Sequence, residues 1–518
     1  MKQQKFLQQA LCTVLCGGLL AASLTGCSLP GIPAGGTAAS GSAAQGDNAE
    51  MGKGTILDDG QLRLLYGSAN STAVVFCGAQ VLYTAPVNGT AYLLGEYDSS
   101  NGVLSADYYV SGVPSGSDQY VYTIYDKAGS AVYTCQSGES VSSLVGDWVL
   151  IHHSEWSEGG PVDGDGTGKF VNLKTGEEKA APDFSTNFYS ASDSLYGVSS
   201  ENMDYENSTW SGATYLYDTN MQEVKKLDGW SSYTGNVKTG WLQLNRNYLV
   251  DGSFAFQSDY YNVITEKRIE NVNQVLSDRY VSVSADNGGC SIVDLTTGET
   301  QESFDTACQW YAGGSALLSS EDTATSTYTL TLRRADGTSA SVRTWDSTGG
   351  TTIFLLDAGA EAYDADGKLL YTLSLELPAP DSDDGYNISQ LGGGRFLLSR
   401  TNWTVSDKVL STAVYGADGL VSDLSDSGYS SIYAPYGVSG YLVGIRSGYG
   451  SSQSLYDLLD ADGAVLLSGL ASISPSADGV FSARRGFEEG WMDASGTWLW
   501  SRSVWQDARD EGNSPYFY

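Results

Sequence analysis

One turn recurs along this chain, and it restricts the possible folds more than any other feature. An alternating apolar strand runs into a short turn holding Asp or Thr and Gly, and a second strand follows. Clear copies occupy residues 121–134, 170–180, 290–303, 328–342, 362–373, 413–424, 456–470 and 490–502. Degenerate copies without the turn glycine occupy 214–227 and 261–272. The turn has a physical logic. An Asp carboxylate caps backbone N–H groups, and Gly takes the positive φ that closes a short hairpin. The turn glycines are Gly129, Gly176, Gly298, Gly337, Gly367, Gly419, Gly463 and Gly496. With the degenerate copies in place the spacing is roughly 30–50 residues, close to the ~40–50 of propeller blades.

Between these hairpins sits a further strand after a glycine-containing turn, as at Gly146, Gly392, Gly440 and Gly479. The last unit shows the order: short strands at Ala471, Val480, Gly490 and Thr497, which is one blade of a meander. No stretch carries a sustained 3.6-residue apolar period with caps. The expectation is an all-β body of about ten four-stranded antiparallel modules from roughly Leu57 to Tyr518. These modules resemble the blades of bacterial propeller proteins, in the broad class of quinoprotein-like and related propeller lipoproteins. The resemblance implies a β-propeller, as one large ring or two tandem rings. A stacked solenoid or an array of β-sandwiches is the competing architecture.

Composition agrees with strands. Gly numbers 62 and Tyr 34, aromatics reach 11%, and charged residues only 17%. Aromatic content of this kind marks a folding chain, and Gly, Ser, Thr and Tyr favour strands and tight turns. Lys+Arg is 27 against Asp+Glu 61, a net charge of −34. A nucleic-acid partner is excluded on that balance, because phosphate binding needs basic patches. Anionic lipid headgroups repel such a body as well.

The N-terminal 27 residues read as a targeting segment. Lys2 and Lys5 precede an apolar stretch over 10–24, which ends in Leu24-Thr25-Gly26-Cys27. That stretch is short and broken by Thr13, Gly17, Gly18 and Ser23, which fits a signal-peptide core. Leu24 to Cys27 resembles the lipobox of bacterial lipoproteins. The resemblance implies cleavage before Cys27, a diacylglycerol on the Cys27 thiol, and anchoring at the extracytoplasmic face of the cell membrane. An ordinary secretory signal with an incidental cysteine is the alternative. Residues 28–54 are dominated by Gly, Ala, Ser and Pro and read as a flexible tether. The expected organisation is therefore signal 1–26, lipidated cysteine and tether 27–54, and repeat body 55–518.

Candidate chemistry is sparse. His152 and His153 are the only histidines. Neighbours in a strand point to opposite faces, so one is expected buried and the other solvated. Their scarcity removes most Ser-His-Asp and His-metal mechanisms. No GxSxG, HExxH or P-loop occurs. Asp163, Asp165, Thr167 and Gly168 resemble the start of a calcium loop, but Lys174 stands at the acidic twelfth position. Asp381, Asp383 and Asp384 form a similar acidic turn. The pairs Asp364/Asp366 and Asp460/Asp462 recur with the repeat and read as turn caps rather than a glycosidase pair. Cys77, Cys135, Cys290 and Cys308 either pair, most simply as Cys77–Cys135 and Cys290–Cys308, or stay free and buried. Aromatic clusters at Tyr108, Trp230–Tyr233, Trp310-Tyr311, Trp498/Trp500 and Tyr516–Tyr518 serve as binding platforms or as packing between modules, with packing favoured. No catalytic, cofactor or metal residue is assigned, and Cys27 is the one assigned site. The expected function is a non-catalytic lipoprotein whose body binds a protein, peptide or glycan. A carbohydrate-active enzyme using two carboxylates and an envelope assembly factor are the alternatives.

Overall fold

The protein is described by a computed structural model. It describes residues 60–504, apart from 67–72, 79, 87, 99–102, 116–119, 154, 158–159, 163–165, 205–208, 251–252, 286–287, 323–326, 379–383, 403–407, 436–437, 448–453 and 475–478. Cys27, the tether and Tyr516–Tyr518 therefore lie outside the described residues, as do Asp163, Asp165, Asp381 and Asp383. No described helix is long and apolar enough to cross a membrane.

Every described element is a strand, and each strand pairs antiparallel with its neighbour in sequence or across a short insertion. Eight sheets are four-stranded. A seven-stranded sheet spans Ala307–Ala312 to Leu369–Ser374 and divides into two meanders that share the strand Ser339–Thr348. That strand pairs backwards through 339–342 and forwards through 342–348, with a bulge at Val342/Thr344. The described chain thus holds ten four-stranded modules, preceded by one three-stranded sheet over 62–84. We number the modules 1 to 11 in chain order, the three-stranded sheet being the first. Modules 2 to 6 lie at 90–134, 139–180, 185–228, 231–269 and 272–304. Modules 7 to 11 lie at 307–342, 342–374, 384–423, 431–470 and 472–503.

The recurring turn of the sequence is the connection between third and fourth strands in all ten four-stranded modules. Its eight glycines all have positive φ, from 73° at Gly176 to 123° at Gly419. The two degenerate copies keep the same backbone without glycine: Met221 has φ 55° and Glu266 φ 59°. The Asp cap is present as the chemistry requires. Asp126 Oδ1 accepts from the N–H groups of Ala128 and Ser130, at 2.9 and 2.8 Å. Asp364, Asp460 and Asp493 repeat the arrangement.

Burial follows strand order. Second and third strands carry the core, as in Trp148–His153 and Gly359–Asp364, whereas fourth strands such as Glu299–Phe304 are mostly exposed. Between the modules lie apolar clusters, each joining one consecutive pair. Val110, Ile124 and Cys135 of module 2 meet Val149, Ile151 and Val171 of module 3. Ile353 and Leu355 of module 8 meet Ile388 and Phe396 of module 9. The remaining consecutive pairs are joined in the same way. One cluster joins the two ends of the series: Leu65, Val74 and Phe76 of module 1 pack on Trp500 of module 11. The Phe76 and Trp500 ring centroids are 4.8 Å apart at 72°, an edge-to-face contact, and Trp491 stands 6.5 Å from Phe76. Every module therefore has two packed neighbours.

Candidate functional site

The side chains with the most unusual chemistry sit on module 5. Its second and third strands, Trp241–Val250 and Ser253–Asn262, form a long hairpin in which Arg246 faces Gln257, Leu244 faces Asp259 and Tyr248 faces Ala255. Opposed residues share a sheet face and alternate residues repeat it. Arg246, Tyr248, Gln257 and Asp259 are thus placed together by register alone. The first strand, Ser231–Asn236, pairs with this hairpin no further than Asn245. Beyond that point, 246–250 and 253–257 project as a two-stranded ribbon.

Trp230 lies beside the ribbon, packed with Ala191, Leu216 and Leu242. The guanidinium carbons of Arg268 and Arg246 stand 4.3 and 4.7 Å from its ring centroid. Arg268 is neutralised by the fully buried Asp259, with Nε at 2.8 Å and Nη2 at 2.6 Å from Oδ2. Asp259 Oδ1 accepts from the Asn271 N–H and the Gln257 side-chain amide, both at 3.0 Å. A buried carboxylate is tolerated only when satisfied in this way.

Arg246 is different. Its Nε and Nη2 donate to one neutral oxygen, Gln257 Oε1, at 3.0 and 2.6 Å, and its guanidinium lies 5.4 Å from the Tyr248 ring centroid. Nine other arginines of the described chain (Arg268, Arg279, Arg333, Arg334, Arg343, Arg395, Arg400, Arg446 and Arg502) each pair with a carboxylate. Arg246 makes no such pair among the described residues, in a chain where acids outnumber bases 61 to 27. Trp230 was legible in the sequence as part of an aromatic cluster. Arg246 and Gln257 were not, because only the strand register brings them together.

The other sequence candidates are placed as follows. His152 and His153 sit side by side in Trp148–His153 and both are half-buried. This corrects the expectation of one buried and one solvated. Burial lowers the His152 pKa by disfavouring the charged ring. The four described cysteines are free. Cys77 and Cys135 belong to different clusters, whereas Cys290 and Cys308 share one. The Cys308 thiol donates to the Trp310 carbonyl at 3.1 Å, and burial pushes its pKa up to about 12. Burial raises Cys135 likewise to about 12. Such thiols are poor nucleophiles. Asp364 and Asp460 are turn caps, and Asp462 pairs with Arg395 at 2.8 Å. Asp384 is held by Arg400 and Asn402. No group of three or more His, Cys, Asp or Glu among the described residues is arranged to hold a metal. Tyr109, Trp310, Tyr311 and Trp500 are buried between modules, so packing accounts for these aromatics. Tyr233 is the exception at 47% exposed, and its hydroxyl donates to Glu201 at 2.6 Å.

A family described as Domain of unknown function (DUF5046) matches residues 271–511. The match begins one residue before the first strand of module 6 and takes in modules 6 to 11. No curated protein matches the chain. Among solved structures, the chain is similar to the computationally designed Ika8 protein, at 11% identity and TM-score 0.27, over 69% of this chain and 97% of that one. It is similar to BamB from Moraxella catarrhalis at 13% identity and TM-score 0.25, over 79% and 94%. It is similar to Porphyromonas gingivalis dipeptidyl peptidase 4 at 11% identity and TM-score 0.28, over 68% and 65%. These likenesses are loose, with TM-scores of 0.25 to 0.28.

Proposed function

We propose that this chain is a lipid-anchored, extracytoplasmic binding protein, whose modules close into one β-propeller ring that presents a ligand surface without catalysis. The carrying observation is the circuit of apolar clusters, in which the module 1–module 11 contact supplies the last link. A solenoid leaves its end modules unpartnered, and two tandem rings need closing contacts within each half. The circuit favours neither. Eleven modules exceed the usual four to eight blades. A wide ring of this kind offers a large rigid platform. Second and third strands are long in several modules, as in Leu195–Asp204 with Thr209–Asp218, and in a ring these hairpins rise from one rim.

Support for a non-catalytic role is of the same kind. The carboxylates that invite a two-acid mechanism are committed elsewhere: Asp364 and Asp460 to turns, Glu361, Asp384 and Glu489 to arginines. Attachment through Cys27 fits a chain of net charge −34, which has no electrostatic attraction of its own for an anionic membrane. Cell fractionation tests the anchor: the Cys27→Ala protein is expected to leave the membrane fraction with its body folded, and retention in the membrane defeats this account. Turnover of any member of a glycoside and peptide panel by the purified body defeats the non-catalytic reading.

A further inference from the structure

We propose that the ribbon of module 5 binds the C-terminal end of a neutral or basic peptide segment, with the terminal carboxylate on Arg246. The inference rests on the reading of the body as a binding platform. The arginine fork carries the argument. Gln257 Oε1 occupies Nε and one N–H of Nη2. Nη1 and the second N–H of Nη2 make no hydrogen bond among the described residues, and this remaining edge has the spacing for a two-oxygen anion. Trp230 and Tyr248 hold the guanidinium in place, at 4.7 and 5.4 Å. The Gln257–Asp259–Arg268 chain fixes Gln257 in turn. A preorganised, half-used fork on a rigid hairpin loses little entropy on taking its partner.

Two further observations select the ligand. A chain of net charge −34 repels polyanions and attracts cations, so an anion reaching Arg246 is best carried as one carboxylate on a segment otherwise neutral or positive. A peptide C-terminus provides that; an acidic glycan does not. Among the described residues, 246–250 also have no strand partner on the side away from Ser253–Gln257, because Ser231–Asn236 ends at the level of Asn245. An extended peptide entering there continues the line of that first strand by main-chain hydrogen bonds, with its end beside Arg246. Tyr248, 40% exposed, offers ring surface to a side chain near that end.

The test uses the whole folded body and an array of basic pentapeptides, presented once with free C-termini and once amidated. The expected result is binding of free-acid peptides at least tenfold tighter than their amides, weakening with salt. Arg246→Gln is expected to remove the preference. Ala255→Glu, diagonal to Arg246 on the same sheet face, brings a carboxylate within reach of the open edge of the fork and is expected to remove it too, while the Gln257–Asp259 contact and the melting temperature hold. That second variant separates ligand binding from a structural role for Arg246. Equal binding of acids and amides, acid preference surviving both variants, or no peptide bound overturns the assignment. Binding of a uronate-bearing oligosaccharide lost in Arg246→Gln overturns the peptide assignment but leaves the binding platform standing. Ligands that bind the body and ignore both variants do the same.

Discussion

Gly176 and Gly367 both hold left-handed backbone, at φ 73° and 79°, and differ in what stands beside them. A Cβ on Gly176 meets open space, whereas one on Gly367 runs into the backbone of Ala312 and Gly313 in the neighbouring module. Gly176→Ala is therefore expected to cost only the conformational penalty, about 1–2 kcal/mol. Gly367→Ala adds a backbone clash that cannot relax without parting modules 7 and 8, for about 3–4 kcal/mol in all. Urea midpoints of the two variants check this, and equal losses sink the close approach. The turn was legible from sequence at this scale because its chemistry is local: one capping side chain and one positive φ. Its degenerate copies were legible as well, although Met221 and Glu266 adopt the strained backbone with no glycine to announce it. There the strand pairing on either side imposes the conformation.

At the scale of elements, buried carboxylates bind strands together through arginine, and none of these pairs could be read from sequence. Glu361, on the third strand of module 8, accepts Arg334 Nε and Nη2 at 3.0 and 2.7 Å and the Tyr363 hydroxyl at 2.7 Å. Arg334 directly follows the third strand of module 7, Thr327–Arg333, so partner and residue meet only after the two modules pack. Burial by itself raises the Glu361 pKa, but the Arg334 and Tyr363 hydrogen bonds outweigh it and leave the group below its ordinary value. A carboxyl with a depressed folded pKa stabilises the protein above the unfolded value, about 4.3, and that contribution is lost as pH falls through the folded pKa. Glu361→Gln is accordingly expected to lower the denaturation midpoint at pH 7, with the gap to the parent closing as pH falls below about 4.3. A gap unchanged across that range means that the ion pair contributes nothing through ionisation. The half-paired fork of Arg246 belongs to the same class of invisible feature. Its partners are set by register, and alternation of apolar residues tells which face a side chain takes but not which strand it meets.

For the whole molecule, the number of modules was close to legible, since a period of 30–50 residues over the body allows about ten. Closure was not. It depends on Phe76, Trp491 and Trp500, which lie at opposite ends of the chain and carry no mark of their meeting. The contact makes a claim that local packing does not. In a closed circuit, loosening one interface releases both modules that share it and leaves the far side intact. Phe76→Ala removes a ring packed on the module 11 tryptophans, at an expected cost of about 3 kcal/mol. Hydrogen exchange should then rise in 62–84 and in 472–503 together, while 231–304 keeps its protection. Val75→Ala, a change in the cluster shared with module 2, is the companion measurement. It should raise exchange in 62–84 and 90–134 and spare 472–503. An open array predicts that Phe76→Ala leaves 472–503 unaffected, because those strands would then owe nothing to module 1. That outcome removes the ring, and with it the reason for gathering the long hairpins on one rim.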